Sequence, residues 1–224
     1  GDELTVLVDA LFRAQHDALR ENGQVVICSV VPMLTREYAA MARTLYGLTP
    51  LIVSHELETG IRIELPDPSS VGADRIANAV AVADGPLPAI VVDLGTATTF
   101  DVVARRRRYM GGAIAPGIGT SADELFRRAA KLPKVSILKP KRPLGRTTEE
   151  SIQSGVYYGA VGAIDRIVQQ LQTQLRTPAR VIATGGLASL VAKESETIAE
   201  VDEALTLRGL VTIARLNANR LRPN

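Results

Sequence analysis

A glycine-threonine turn between two β-branched runs constrains the fold of this chain more than any other stretch. The runs Ile90-Val91-Val92 and Val102-Val103 are typical of buried strands, and the residues 95–97 between them predict a tight turn. Because Gly95 has no Cβ, backbone N–H groups and threonine oxygens there can approach an anion closely. Asp93 adds a carboxylate that suits a cation beside phosphate. The turn therefore predicts a phosphate site, although an ordinary hairpin would use the same residue types.

Composition and charge narrow the class of protein. The chain has 224 residues, 46% of them hydrophobic and 22% charged, with a net charge of +2, which is typical of a soluble globular protein. We predict that the basic run 105–108 is a surface loop and not a nucleic-acid patch. The single cysteine, Cys28, lies in an apolar run and predicts a buried, inert thiol. Without an apolar stretch of about 18 residues or a signal-peptide pattern, we expect no membrane contact and a cytoplasmic protein.

Strand and helix patterns alternate along the chain, which predicts an α/β fold with mixed sheets. Predicted strands cover residues 24–31, 51–54, 61–65, 90–92, 102–103, 109–115 and 180–184, and predicted helices cover 4–19, 34–46, 72–83, 121–131, 147–175 and 206–217. The proline- and glycine-containing segment 84–88 interrupts this pattern. We therefore predict two domains, residues 1–84 and 85–224.

Hydroxyl side chains mark several predicted helix starts. Ser69 or Ser70 is placed to cap the helix near residue 72, and Thr206 is placed to cap the last helix. Ser121 and Thr147 each precede a glutamate by three residues, which is the capping-box pattern. Within the helix after Thr147, three glycines share one face and predict close packing against another backbone or a ligand: Gly155, Gly159 and Gly162.

Small-residue loops at 29–32, 72–75, 95–98 and 184–186 predict a nucleotide cleft, because free N–H groups at such loops point at ligands. In the second loop, Asp74 could accept a proton from a substrate hydroxyl and Arg75 could clamp a substrate carboxylate. Alternatively, Asp74 only favours the helix N-terminus and Arg75 is solvated. His16 and His55 lack partners at metal-ligand spacing and are predicted to be surface residues.

Six motifs in order resemble those of type III pantothenate kinase: Val71-Gly72-Ala73-Asp74-Arg75-Ile76, the hairpin 92–103, Gly111 to Gly117, Lys131-Leu132-Pro133, Gln153-Ser154-Gly155 and residues 183–188. The resemblance implies two ribonuclease H-like domains of the actin/hexokinase/Hsp70 superfamily and a homodimer. It further implies phosphorylation of pantothenate with ATP at the first step of coenzyme A synthesis. Mg²⁺ and a monovalent cation, K⁺ or NH₄⁺, are the implied cofactors.

The resemblance also implies roles for single residues. Asp74 would be the base that takes the proton from the pantothenate hydroxyl, and Asp93 would hold the monovalent cation. Gly72, Ala73, Arg75 and Thr148 would bind pantothenate. The implied ATP-binding residues are Gly95, Thr96, Thr98, Thr184, Gly185 and Gly186.

Two departures from the family pattern lead to further expectations. Family members begin with a strand and an Asp-x-Gly-Asn-Thr phosphate loop, and this sequence starts after that point, so we expect an incomplete first domain and impaired activity. Leu65 stands where the family has a tyrosine that helps to bind pantothenate. Two alternatives therefore remain: a non-catalytic nucleotide-binding or regulatory relative, and a kinase for another small hydroxy acid.

Overall fold

A six-stranded mixed sheet forms the centre of the computed structural model, which describes residues 23–129 and 131–220. The strands are β1 (Val26–Ile27), β2 (Leu51–Ile52), β3 (Arg62–Ile63), β4 (Ala89–Leu94), β5 (Ala97–Ala104), β6 (Arg108–Pro116), β7 (Arg180–Thr184) and β8 (Glu200–Val201). The helices are α1 (Pro32–Tyr46), α2 (Ala73–Ala83), α3 (Ile118–Arg128), α4 (Thr148–Leu175), α5 (Ala188–Val191) and α6 (Leu205–Leu216). The α/β class with mixed sheets is confirmed.

The central sheet has the strand order β3-β6-β5-β4-β7-β8. β4, β5 and β6 form an antiparallel meander, while β7 runs parallel to β4 and β8 runs parallel to β7. β1 and β2 form a separate parallel pair. Because β3 adds to the edge of β6, the sheet extends across the predicted boundary at residues 84–88. The division into two domains stays a prediction.

Successive side chains of the strands point to opposite faces of the sheet, which divides the core into two layers. Val91 and Val103 face α2, in a cluster that also contains Tyr109. Val92 and Phe100 face the opposite side of the sheet, where they pack in a cluster with side chains of α4. Burial of each such side chain contributes about 1.5–3 kcal/mol. Consequently, side chains of opposite parity on β5 reach different sides of the molecule.

α2 and α6 pack against each other at very short range. A Cβ built on Gly209 of α6 would lie 1.9 Å from the carbonyl oxygen of Ala77 in α2, so only glycine permits this approach. Asn217, just after α6, joins the end of this helix to the segment between β2 and β3, because its amide donates to the carbonyl oxygens of Glu58 and Ile213. α2 is thereby held between the sheet and α6.

Only part of the predicted capping is observed. Thr147 caps α4 as predicted, since its Oγ1 accepts a hydrogen bond from the Glu150 N–H at 3.1 Å. The prediction for Ser121 was wrong, because the chain turns directly from β6 through Gly117 into α3. The prediction for Thr206 was also wrong: α6 begins one residue earlier, and the Thr206 hydroxyl donates to Asn78.

The start of α2 also differs from the prediction. Gly72 occupies the N-cap position without a side-chain hydrogen bond, so neither Ser69 nor Ser70 caps this helix. Those two serines lie in a short 3-10 turn, Pro68–Ser70, which is capped by the Asp67 carboxylate. The first turn of α2 therefore keeps backbone N–H groups without a cap from the Gly72 position.

The basic run at residues 105–108 is only partly the surface loop that was predicted. Arg105 and Arg106 are exposed, but Arg107 is half-buried. Its Nε donates to the carbonyl oxygen of Gly60 at 2.6 Å and its Nη1 donates to that of Ala83 at 3.1 Å. Because it joins three segments, this arginine is structural.

Two predictions fall on residues 1–22, outside the described part of the chain: the first helix and His16. His55 is exposed, as predicted. Within the described residues, no helix is both long and apolar enough to cross a membrane.

The glycine face of α4 has no close partner among the described residues. A Cβ built at Gly155, Gly159 or Gly162 would meet nothing within 4 Å. The close packing predicted for this face is therefore not supplied by the described part of this chain.

Candidate active site

The carboxyl ends of β4 and β7 meet at one edge of the sheet. Asp93 of β4 lies beside Thr184 of β7 in parallel register, and each strand then enters a glycine-containing turn. Gly185 has φ of +92°, and a Cβ there would lie 2.7 Å from the carbonyl oxygen of Leu94 and 2.9 Å from Asp93 Oδ1. Only glycine permits this contact, so the two turns form one surface.

The β4–β5 turn is exposed but firmly attached. Gly95 and Thr96 are both exposed. The carbonyl oxygen of Thr96 accepts hydrogen bonds from the Thr120 hydroxyl at 2.7 Å and from the Gly117 N–H at 3.1 Å. The turn is thus fixed against the start of α3 and presents an open, polar surface to solvent.

One oxygen of Asp93 is held from inside the protein. Its Oδ2 accepts a hydrogen bond from Asn78 Nδ2 at 2.9 Å, and Asn78 Oδ1 in turn accepts one from the Thr206 hydroxyl at 2.7 Å. Burial raises the pKa of Asp93, the Asn78 hydrogen bond lowers it, and the negative charges of Asp74 and Asp101 raise it further. An anion in such surroundings favours a nearby cation.

Asp74 and Arg75 occupy the first turn of α2. Asp74 is half-buried, and its Oδ1 accepts a hydrogen bond from the Arg75 backbone N–H at 2.8 Å. The Arg75 guanidinium turns toward β5, where Nε and Nη2 lie 2.8 and 2.7 Å from Asp101 Oδ1. Burial works to lower the pKa of Arg75, but the hydrogen bond and charge of Asp101 outweigh it and raise the pKa. Arg75 is therefore not the solvated side chain of the alternative interpretation.

The predicted site residues do not all reach the same face of the sheet. Thr98 is 2% exposed and lies on the side of α4, because it has opposite parity on β5 to Thr99 and Asp101. Thr148, at the start of α4, is exposed. Both line an apolar cavity of about 700 Å³ between β5, α3 and α4. Within one chain, the sheet separates this cavity from Asp74.

Comparison with known proteins identifies the family. The family model for type III pantothenate kinase matches residues 1–170. The chain belongs to this family. A type III pantothenate kinase of Geobacter sulfurreducens is 48% identical over 210 residues, which cover 93% of this chain and 82% of that protein. One of Halalkalibacterium halodurans is 43% identical over 217 residues, covering 96% and 85% of the two chains.

A solved structure supports the fold of this pantothenate kinase family member. A putative Baf family transcriptional activator from Campylobacter jejuni superimposes with a TM-score of 0.62 over 88% of this chain and 84% of that chain. The two sequences are 19% identical, so the likeness concerns the fold alone.

Two functional candidates in the pantothenate kinase fold were missed by sequence reasoning: Asp101 and Asn78. Their side chains are buried, and each contacts a predicted site residue. The signal was present in the sequence, because both are polar residues inside otherwise apolar runs of β5 and α2. Such residues are rarely buried without a specific partner.

The described residues contain no cluster of three or more His, Cys, Asp or Glu side chains that could hold a metal ion. Mg²⁺ often needs only one or two protein carboxylates when substrate phosphates supply further oxygens. Kinases of this family use ATP with a divalent metal. Asp93 Oδ1 and the Leu94 carbonyl oxygen, both beside Gly185, are oxygen ligands of the kind that cations prefer.

Leu65 lies over β6, and Cys28 lies within electrostatic reach of Asp74. A Cβ on Gly111 would lie 3.0 Å from Leu65 Cδ2, so the leucine covers this part of β6. Burial, together with the charge of Asp74, raises the pKa of Cys28 to about 12. The thiol is therefore protonated at neutral pH, as expected of an inert cysteine, although Cys28 is half-buried and not buried as predicted.

Proposed function

We propose that this protein transfers the γ-phosphoryl group of ATP to the hydroxyl group of pantothenate, forming 4'-phosphopantothenate and ADP at the first step of coenzyme A synthesis. Because the chain belongs to the type III pantothenate kinase family, one observation is the main support for this proposal. Asp74 and Arg75 lie in the first turn of α2, close enough to Asp93 for the charge of Asp74 to act on it. The β4 and β7 turns meet at the same place. The proposed base, the proposed cation ligand and the two proposed anion-binding turns are thus close together, which supports the proposal.

The ATP phosphates are proposed to bind along the two turns. Gly95, Thr96 and Gly186 are exposed there, and a Cβ on Gly186 would meet nothing within 4 Å, which leaves room for a ligand. Thr184 is 2% exposed, so its contribution is through the backbone. Backbone N–H groups in such turns stabilise phosphate oxygens without reorganisation. Thr98 faces the opposite side of the sheet, and its role toward ATP stays a prediction.

Asp93 is proposed to hold a monovalent cation, K⁺ or NH₄⁺. The support is that Asn78 occupies Oδ2 while Oδ1 lies beside Gly185 with the Leu94 carbonyl oxygen. A cation there neutralises negative charge that develops on the phosphates. The cation also stabilises the ionised form of Asp93, because a nearby positive charge offsets the cost of burying this carboxylate.

Asp74 is proposed to act as the general base. It accepts the proton of the pantothenate hydroxyl while that oxygen forms a bond to the γ-phosphorus and the bond to the ADP oxygen breaks. Gly72 and Ala73 line the substrate beside it, and Arg75 directs its remaining N–H donors toward the substrate carboxylate. The hydroxyl and the phosphate are thereby brought together by position and charge.

The functional unit is proposed to be a homodimer. Asp74 and Thr148 lie on opposite faces of the sheet, so one pantothenate molecule reaches both only if a second copy supplies one of them. Gly155 and Gly159 of α4 line the same cavity as Thr148 and leave space for a close partner. The antiparallel meander followed by two parallel strands also agrees with a ribonuclease H-like domain.

The decisive experiment measures ADP formation with and without pantothenate and compares Asp74→Asn with the unmodified chain. We expect pantothenate-dependent ADP formation, and a kcat about 100- to 10,000-fold lower in the variant because the general base is lost. Asp123→Asn is the matched control, since Asp123 is exposed on α3 and its ion-pair partner among the described residues is Lys134 at 3.2 Å. Absence of pantothenate-dependent turnover in the unmodified chain would favour the non-catalytic alternative.

A further inference from the structure

A carboxylate is fully buried in the middle of β5. The Asp101 side chain is 0% exposed, and its neighbours Phe100 and Val102 belong to the apolar core. None of the roles in the proposed reaction uses this residue. A buried charge is costly unless it is paired and hydrogen-bonded, so its contacts indicate what it does.

Asp101 joins three elements through its two oxygens. Oδ1 accepts from Arg75 Nε at 2.8 Å, and Arg75 Nη2 lies 2.7 Å from it. The same oxygen accepts the Tyr109 hydroxyl of β6 at 2.6 Å, and Oδ2 accepts the Thr99 hydroxyl at 3.2 Å. The carboxylate is therefore fixed from β5 and β6 before it contacts α2.

This arrangement fixes the plane of the Arg75 guanidinium. The side chain is 15% exposed, and its Cζ lies 6.0 Å from the centre of the Tyr109 ring. A guanidinium has five N–H donors in a rigid fork, so two that point at Asp101 determine the direction of the others. Arg75 directly follows Asp74, so this direction matters to whatever binds at the start of α2.

We propose that Asp101 is a positioning residue, which holds the Arg75 guanidinium in the one orientation that matches the substrate carboxylate. The inference rests on the proposed pantothenate kinase function. Because Arg75 and Asp101 together carry no net charge, the preference for a carboxylate comes from the direction of the remaining N–H groups and not from overall attraction. Loss of the Asp101 acceptor oxygen should therefore reduce the preference for a carboxylate more than loss of the negative charge does.

The test measures selectivity, which a purely structural defect would not change. kcat/KM is determined for pantothenate and for a neutral analogue in which a primary amide replaces the carboxylate. The acid-to-amide ratio is kcat/KM for pantothenate divided by kcat/KM for the amide. In Asp101→Ala we expect KM for pantothenate to rise about tenfold or more, and this ratio to fall by a similar factor. Asp101→Asn keeps an acceptor oxygen at nearly the same volume, so its ratio should stay within about threefold of the unmodified protein.

A double-mutant cycle tests whether Asp101 acts through Arg75. In an Arg75→Lys background, Asp101→Ala should change the acid-to-amide ratio by less than about twofold, because the group that it positions is gone. If Asp101→Ala does not fold, Tyr109→Phe takes its place, since it removes one donor from Asp101 and leaves Arg75 intact. We expect a ratio about two- to fivefold lower in that variant.

The outcomes separate this inference from the proposed function. If the unmodified protein phosphorylates neither compound, the kinase proposal is wrong and this inference falls with it. If it phosphorylates pantothenate and the ratio is unchanged in Asp101→Ala or Tyr109→Phe, the positioning role alone is wrong. An Asp101→Asn variant as unselective as Asp101→Ala would also overturn it, because charge would then be the decisive property.

Discussion

Asn78 lies inside α2, where its amide joins Asp93 to Thr206. An ionised carboxylate only accepts hydrogen bonds, so the amide must turn its NH₂ toward Asp93. The amide oxygen then needs a donor, and the Thr206 hydroxyl of α6 supplies it. These two hydrogen bonds explain why Asp93 presents Oδ1, and not Oδ2, to the β7 turn. A leucine at position 78 would fill the space but leave Asp93 Oδ2 without its donor.

Cys28 provides a test of how burial and the charge of Asp74 act together at one side chain. Burial first, and the Asp74 charge second, raise its pKa from 9.0 to about 12. At pH 8 the thiolate fraction is then about a thousandfold lower than that of an ordinary cysteine. We expect Cys28 in the native protein to react with a disulfide reagent at least about a hundredfold more slowly than in concentrated guanidinium chloride.

The control for this measurement is Cys28→Ser, which should not react because the chain has no other cysteine. A native reaction rate that keeps rising as the pH passes 9.0, the ordinary pKa of a cysteine, would support the raised pKa. Equal rates in the native and denatured protein would contradict it.

The strand β5 separates two sets of residues that are adjacent in sequence. Asp101 faces α2 and contacts Arg75, and Thr99 on the same side donates to Asp101. Thr98 and Phe100 face the cavity beside α4. The period of two follows from the sequence, but either set could have faced the site. The packing of α2 on one face and α4 on the other decides which set faces the site.

Gly185 and Gly186 form a matched pair for the β7 turn. Gly185 has φ of +92° and no room for a Cβ, whereas a Cβ on Gly186 meets nothing within 4 Å. We expect Gly185→Ala to lower the free energy of unfolding by about 2–4 kcal/mol, because of backbone strain and the clash with the Leu94 carbonyl group. Gly186→Ala should change it by less than about 0.5 kcal/mol.

Urea unfolding, followed by circular dichroism, measures both variants under the same conditions. The comparison concerns stability alone, because both glycines are also proposed to bind ATP. Equal midpoints for Gly185→Ala and Gly186→Ala would show that the β4 and β7 turns are not in contact as described.

The whole molecule has one feature that a single chain does not explain. Asp74 and Thr148 are both proposed to contact pantothenate, yet they lie on opposite faces of the sheet. Co-expression of Asp74→Asn with Thr148→Val tests whether two copies share each site. Random pairing makes half of the dimers mixed, and each mixed dimer has one intact site, so we expect recovery to about a quarter of the full activity.

Co-expression of Asp74→Asn with Arg75→Ala is the control, because both changes affect the same half of the site and no intact site can form. Activity in the first mixture that does not exceed that of the separate variants would contradict a shared site. Equilibrium sedimentation of the unmodified chain measures the dimer independently of activity.

Local patterns predicted much of the secondary structure, while the roles of the candidate site residues stay predictions. The hairpin at Gly95, the break near residue 85 and the cap at Thr147 depend on neighbouring residues, so the sequence was sufficient. The starts of α3 and α6 were misplaced because tertiary contacts replaced the expected side-chain caps: Gly117 bonds to Thr96, and Thr206 bonds to Asn78.

By itself, the sequence determined the α/β class, the family and the chemical types at the site, because these depend on residue identity and spacing. Only the tertiary structure decided which of those residues meet. It brought Asp101 to Arg75 over 26 positions and Thr206 to Asn78 over 128, and it left Thr98 and Thr148 on the other face of the sheet. The reason is physical: the partner of a buried polar group depends on how distant elements pack, and no local pattern records that packing.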